Sequence, residues 1–272
     1  MNKKIIALFK SGAYFMVCWW KNNKSSFFMN LLWPYLWIGF MYGFGKLFGS
    51  VEAFKSNVGI NTHPILFYAY CTIAAFSSLA VFGDVASKFI WLRWEGLLEY
   101  IMLSPNSILL IALGGSLIPY LAANILLGLE VFPLMIYVEG FKVAIFKLLA
   151  LYGLLIIGSL PLFGLATILA SLTLGLKEET NIFAFLNPLI LILSGIFYPI
   201  TVFPRLVQYI AKALPQTYLF EVARTLSRIG MPEVATMILA LEALFLLTAL
   251  YNTVSYPITF KAENFAKRRG AI

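Results

Sequence analysis

Residues 107–129 read SILLIALGGSLIPYLAANILLGL, a run without a single charged side chain. As a helix it would be about 34 Å long at ~1.5 Å per residue, enough to cross a hydrocarbon core ~30 Å thick. It is apolar on every side, so it has no face to offer water. Comparable runs recur between Phe27 and Tyr256, at about 27–48, 64–84, 145–174, 181–199 and 232–256. Together they predict an all-α, polytopic membrane protein with six transmembrane helices.

Composition agrees. Hydrophobic residues make up 61% of the chain and charged residues 12%, with a mean hydropathy of +0.87. Soluble domains carry about 25% charged residues. The 272 residues are expected to form one transmembrane domain, so any soluble partner is another chain. Cys18 and Cys71 give no disulfide framework, and His63, the one histidine, precedes Pro64. Neither metal nor redox chemistry is expected, there is no cluster of catalytic side chains, and no nucleic-acid partner is expected.

Lysine and arginine near span ends are retained in the cytoplasm, which sets orientation. Lys3, Lys4, Lys10, Lys21 and Lys24 precede the first span, against Lys46 and Lys55 after it, so both termini are placed in the cytoplasm of a cell with this protein in its plasma membrane. Lys261, Lys267, Arg268 and Arg269 agree; Arg205, Lys212, Arg224 and Arg228 in the last outside loop run against it. The amino terminus has no small-residue cleavage site and is expected to stay attached. Residues 1–26 read as an amphipathic helix lying in the interface. On a helical wheel Lys3, Lys10, Tyr14 and Lys21 fall within about 20° of one direction, with Ile5, Leu8, Phe9, Gly12, Phe15, Met16 and Trp19 opposite.

In the first span, Gly39 to Gly43 and Gly45 to Gly49 have G-x-x-x-G spacing, which lets another helix come close. Gly45-Lys46 is not a nucleotide-binding loop, because Phe40 and Leu47 stand where glycine and a hydroxyl residue are required.

Two segments outside the spans carry the functional reading. The loop 87–106 contains Trp91 to Met102, with helical periodicity that exposes Arg93, Glu95 and Glu99 and turns Trp91, Trp94, Leu98 and Ile101 inward. Twelve residues make about 18 Å, too short to cross, so this helix lies along the cytoplasmic surface until Pro105 ends it. It is either an ordinary interfacial helix or one that fits a groove on a soluble partner. The segment 200–231 reads as an extracellular helical hairpin that dips back into the outer leaflet, broken by Pro215. Arg205, Gln208 and Lys212 share a face of its first piece, and Glu221, Arg224 and Arg228 recur at helical spacing in the second. It is either a structural cap or a gate.

The stretch Arg93-Trp-Glu-Gly96-Leu-Leu-Glu99 followed by Leu103-Ser104-Pro105 resembles the coupling-helix signature of type-2 ATP-binding cassette (ABC) exporter permeases, with Leu97 where that family usually has threonine. Leu193-Ser-Gly195-Ile-Phe-Tyr198-Pro199, then Pro204, Leu214-Pro215, Thr217-Tyr218 and Arg224, resembles the same family's signature before its last span. The resemblance implies a half-transporter. Two permease chains, identical or different, would form the pathway, and two copies of a separate ATPase would supply ATP and Mg chemistry that this chain lacks. Arg93, Trp94, Glu95, Gly96, Leu97 and Glu99 would couple to the ATPase. Pro199, Pro204, Pro215, Tyr218, Glu221 and Arg224 would shape the outer gate. The cargo would be amphipathic or hydrophobic, drug-like or lipid-linked.

A charge inside a span costs about 2.5–3.5 kcal/mol on insertion scales, which singles out Glu242, near the midplane of the last span. It would either face the pathway or hydrogen-bond a neighbouring helix. Tyr70, Ser77, Asn187, Ser194 and Phe197 are further pathway candidates, because the resemblance puts the second and fifth spans near the dimer axis. Glu130, at the far end of the third run, is expected in water. An ion- or proton-coupled secondary transporter is the alternative reading. It would need several midplane ionisable groups, and here the sequence offers Glu242.

Overall fold

The computed structural model describes residues 3–48, 63–86, 88–103, 108–173, 182–196, 199–229 and 232–268. Within them the chain is built of helices: α1 (Lys3–Asn22), α2 (Lys24–Phe48), α3 (Pro64–Val81), α4 (Lys88–Trp94), α5 (Leu98–Leu103), α6 (Ile108–Glu139), α7 (Phe141–Thr173), α8 (Ile182–Leu193), α9 (Arg205–Ala213), α10 (Pro215–Leu226) and α11 (Val234–Arg268). A π-helical turn, Phe82–Ala86, continues α3, and a short 3-10 turn, Ile200–Val202, precedes α9.

Four helices are long and apolar enough to cross a membrane, over Pro64–Ala86, Gly114–Glu139, Phe141–Thr173 and Val234–Phe265. The other two expected spans correspond to α2 and α8. With 25 residues α2 has the length, but Asn30, Trp33, Pro34, Tyr35 and Trp37 dilute its apolar character. The 12 residues of α8 cover only about 18 Å.

The core is centred on α3, which packs against α2, α6, α7 and α10. Leu66, Tyr70 and Ile73 of α3, Val131 and Met135 of α6, and Leu151 and Leu155 of α7 are fully enclosed. Around this centre α7 and α11 share the most extensive interface. It is made as membrane helices make contacts, with a small residue and internal hydrogen bonds. A Cβ on Gly164 would come within 2.9 Å of both Tyr251 and Asn252. Ser171 and Thr259 share a hydrogen bond of 2.8 Å, and Asn252 donates to the Leu160 carbonyl.

The amino-terminal helix does more than rest on the bilayer. α1 packs along α6, and Gly12 meets Gly114 and Gly115 so closely that a Cβ there would lie 2.8 Å from the Gly115 carbonyl oxygen. Tyr14, Phe15 and Val17 point away from the protein.

One expected boundary is corrected. The charges Glu130 and Lys142 suggest that the third run leaves the membrane at 129 and the fourth begins at 145. Instead α6 continues to Glu139 and α7 begins at Phe141, with Gly140 as the break. Gly140 has φ +79, and its N–H donates to Ile136 at 2.9 Å, which closes α6 in the left-handed conformation that glycine adopts at least cost. Glu130 therefore lies within the long helix, half-buried, with the Tyr35 hydroxyl on its backbone carbonyl.

Candidate functional site

The surface segment is an elbow rather than one rod. Residues 91–102 were expected to form a continuous helix, yet α4 stops at Trp94 and α5 starts at Leu98. Gly96 has φ +68; its N–H donates to Arg93 at 2.9 Å, and the Leu97 N–H donates to Leu92 at 2.8 Å. These two bonds are a Schellman motif, the usual way to end a helix on glycine. The glycine of the Arg93-to-Glu99 motif is thus required by backbone conformation, because a Cβ there costs about 1–2 kcal/mol.

The aromatic side chains on this elbow also face differently from the sequence reading. Ile90 and Leu98 turn into the protein, whereas Trp91 and Trp94 are 56% and 51% exposed and stack edge to face at 5.2 Å. Leu97, Tyr100 and Leu103 extend the same exposed apolar surface. Arg93 is half-buried, Glu95 and Gly96 are exposed, and Glu99 falls in α5. The twelve-residue period is compatible with either orientation; contacts of α4 with α7 and the π-helical turn decide it.

A second Schellman motif lies in the other signature. Gly195 has φ +79, its N–H donates to Ile192 at 3.0 Å, and the Ile196 N–H donates to Leu191 at 3.3 Å. This ends α8 directly after Ser194, whose buried hydroxyl bonds back to Ile190. Phe197 and Tyr198 lie outside the described residues. Pro199 opens the 3-10 turn and Pro204 immediately precedes α9.

Pro215 then forces a break between α9 and α10, because it cannot donate to the preceding turn. The carbonyls at the end of α9 are each met by a hydroxyl: Thr217 donates to Ala211, Tyr218 to Lys212 at 2.9 Å, and Tyr251 to Ala213 at 2.6 Å. The junction lies well along its neighbouring helices. Tyr251 is about 25 Å along α11 from Val234, at ~1.5 Å per residue. Leu219 of α10 fills the notch at Gly158, also about 25 Å along α7 from Phe141. Of the two arms of the hairpin, α10 packs against α3, α7 and α11, whereas Leu206, Tyr209 and Ile210 of α9 are exposed.

A family model described as ABC-2 type transporter matches residues 7–226, from α1 through α10. The chain belongs to the ABC-2 type transporter family. A search of curated proteins finds no match. As an ABC-2 membrane domain the chain is the permease component of an ABC transporter, and both motif glycines and the hydroxyl-capped hairpin fall inside the matched region.

Arg205 and Lys212 on α9 are exposed, but α10 of this permease carries charge into the protein. Arg224 is 4% exposed and lies beside Cys71 of α3 and Glu221. Burial pushes the Arg224 pKa down, while Cys71 and Glu221 act the other way. Burial raises the Glu221 pKa, opposed by Arg224 and Lys212. Tyr218 is raised by burial and by the Glu221 carboxylate. Gln216 is fully enclosed, and its amide has no hydrogen-bond partner among the described residues.

Above this lies a group that the sequence reading misses. Lys147, with no exposed surface, is paired with Glu139, whose side chain is 3% exposed. The Lys147 ammonium also donates to the Arg228 carbonyl at 2.6 Å, and the Tyr70 hydroxyl donates to Glu139 at 3.4 Å. The signal available in sequence is Glu139 followed, across Gly140, by Lys142 and Lys147 in an otherwise apolar stretch.

Of the remaining pathway candidates, Tyr70 and Ser77 sit between helices of one protomer. Ser77 shares a hydrogen bond of 2.8 Å with Tyr120, which stacks on Phe163. Asn187 is half-buried on α8. Glu242 is exposed on the outward stripe of α11 with Ile238, Leu239, Phe245 and Leu246. Among the described residues a Cβ placed on Gly39 or Gly43 would meet nothing within 4 Å, so that part of α2 has room for another helix.

Proposed function

We propose that this permease is the membrane half of an exporter driven by ATP hydrolysis on a separate subunit. Two copies of the ATPase bind beneath two permease chains in the plasma membrane, and the cargo is an amphipathic or hydrophobic compound, drug-like or lipid-linked. Both termini are cytoplasmic, and the apolar runs 27–48 and 181–199, which contain α2 and α8, complete six spans with the four long helices. The observation that carries this reading is the α4–α5 elbow, which presents Trp91, Trp94, Leu97 and Tyr100 outward from a bend held by Gly96. Exposed aromatics flanked by Arg93 and Glu95 are what a groove on a soluble partner can bind.

ATP drives transport only through its different affinity for two arrangements of the permease, so the elbow must be stiff enough to transmit closure. The hairpin serves as the outer gate in this mechanism. Glu242 faces a neighbouring chain or a cationic part of the cargo; replacing it with Gln lowers transport at normal expression if that role holds. The decisive test is co-purification with the ATPase and stimulation of its hydrolysis. Charge reversal at Arg93, Glu95 and Glu99 is expected to abolish both; unchanged association would sink the docking role.

A further inference from the structure

We propose that Lys147 is the positioning residue of the outer hairpin: neutralised by Glu139, its ammonium holds the Arg228 carbonyl and keeps α10 seated against α3. The proposal rests on the gate reading above and adds the group that holds the gate shut.

A lysine with no exposure in an apolar helix is retained only where it is paired. Here the pairing is unequal in kind. Glu139 lies just across Gly140 from α7, and Tyr70 of α3 donates to it, so the ion pair belongs to the helix bundle. Arg228 instead follows α10 at the hairpin's exit, and its contact with Lys147 is one charge-assisted hydrogen bond of 2.6 Å. When the hairpin moves away, Lys147 keeps Glu139. No unpaired charge is stranded in the membrane, and the bond to Arg228 can break and re-form. Such a contact tethers a moving element without fixing it.

Cys71 is the natural reporter. It is buried on α3 beside Arg224, under α10, and Cys18 is the other cysteine of the chain. The experiment uses the full permease with its ATPase in detergent, where labelling does not depend on sidedness, in a Cys18→Ser background. A charged maleimide is the probe. The double variant Lys147→Met with Glu139→Met removes the tether and leaves no lone charge, so the fold is retained. Cys71 is expected to label at least tenfold faster, with a thermal midpoint within a few degrees of the parent, whereas Lys142→Met leaves labelling unchanged. Labelling as slow as in the parent overturns the proposal. Loss of the folded chain also overturns it, because a tether alone can be removed without losing the fold. Faster labelling with unaltered transport confirms the tether and counts against the gate reading instead.

Discussion

The Tyr251 hydroxyl of α11 donates to the Ala213 carbonyl, 2.6 Å away, where α9 stops for Pro215. The contact lies at a partly exposed surface, where the last long helix adds a donor to the end of α9. Tyr251→Phe is expected to cost about 0.5–1.5 kcal/mol, the net worth of one ordinary hydrogen bond. In detergent this reads as a thermal midpoint a few degrees lower with ATPase association intact. A midpoint equal to the parent's would mean the carbonyl finds another donor.

Gly96 separates backbone conformation from steric room. Nothing lies within 4 Å of a Cβ placed there, yet φ is +68. Gly96→Ala should therefore weaken ATPase binding about tenfold through strain alone, and Gly96→Asn should weaken it less, because asparagine tolerates the left-handed region. Titration of the purified ATPase gives the order; equal affinity for all three would remove the elbow from the coupling argument.

The two ion pairs among the described residues should behave oppositely. Lys147→Met alone leaves the Glu139 carboxylate buried without its partner, an expected loss of about 3–5 kcal/mol. Arg228→Met breaks an exposed pair with Glu233 at 2.9 Å and should cost under about 1 kcal/mol. Chemical or thermal unfolding of the two variants side by side distinguishes them.

Burial of Glu221 makes hairpin stability depend on pH. A raised native pKa means that the folded chain holds this proton more tightly than the unfolded chain, whose carboxyl titrates near 4.5. The contribution is full below that value and is lost as pH rises through the native pKa. Thermal midpoints measured from pH 4.5 upward should fall more steeply for the parent than for Glu221→Gln. Identical slopes would contradict the assignment.

Much of this was legible in sequence. Long apolar runs locate α3, α6, α7 and α11, since length and apolarity decide what a bilayer accepts. Pro204 and Pro215 mark the limits of α9, because proline has no N–H to continue a helix. The elbow was not legible as such: helical periodicity runs through Gly96 unchanged, and only φ reveals the bend. Nor was the outward turn of Trp91 and Trp94, which depends on where α7 packs. Lys147 and Glu139 were hidden for a third reason. Lys147 falls inside the expected run 145–174 and Glu139 outside any run, and spacing alone does not show that the two meet across the Gly140 turn.

That turn also bears on how the chain is made. On the orientation proposed above the Gly140 bend lies outside, so Lys147 would cross the membrane as part of a neutral couple with Glu139, free of the bias that keeps unpaired basic residues on the synthesising side. A fragment ending at Thr173 should insert with the bend outside, as read by a glycosylation acceptor placed at Gly140; adding Glu139→Gln to that fragment should lower the fraction that does.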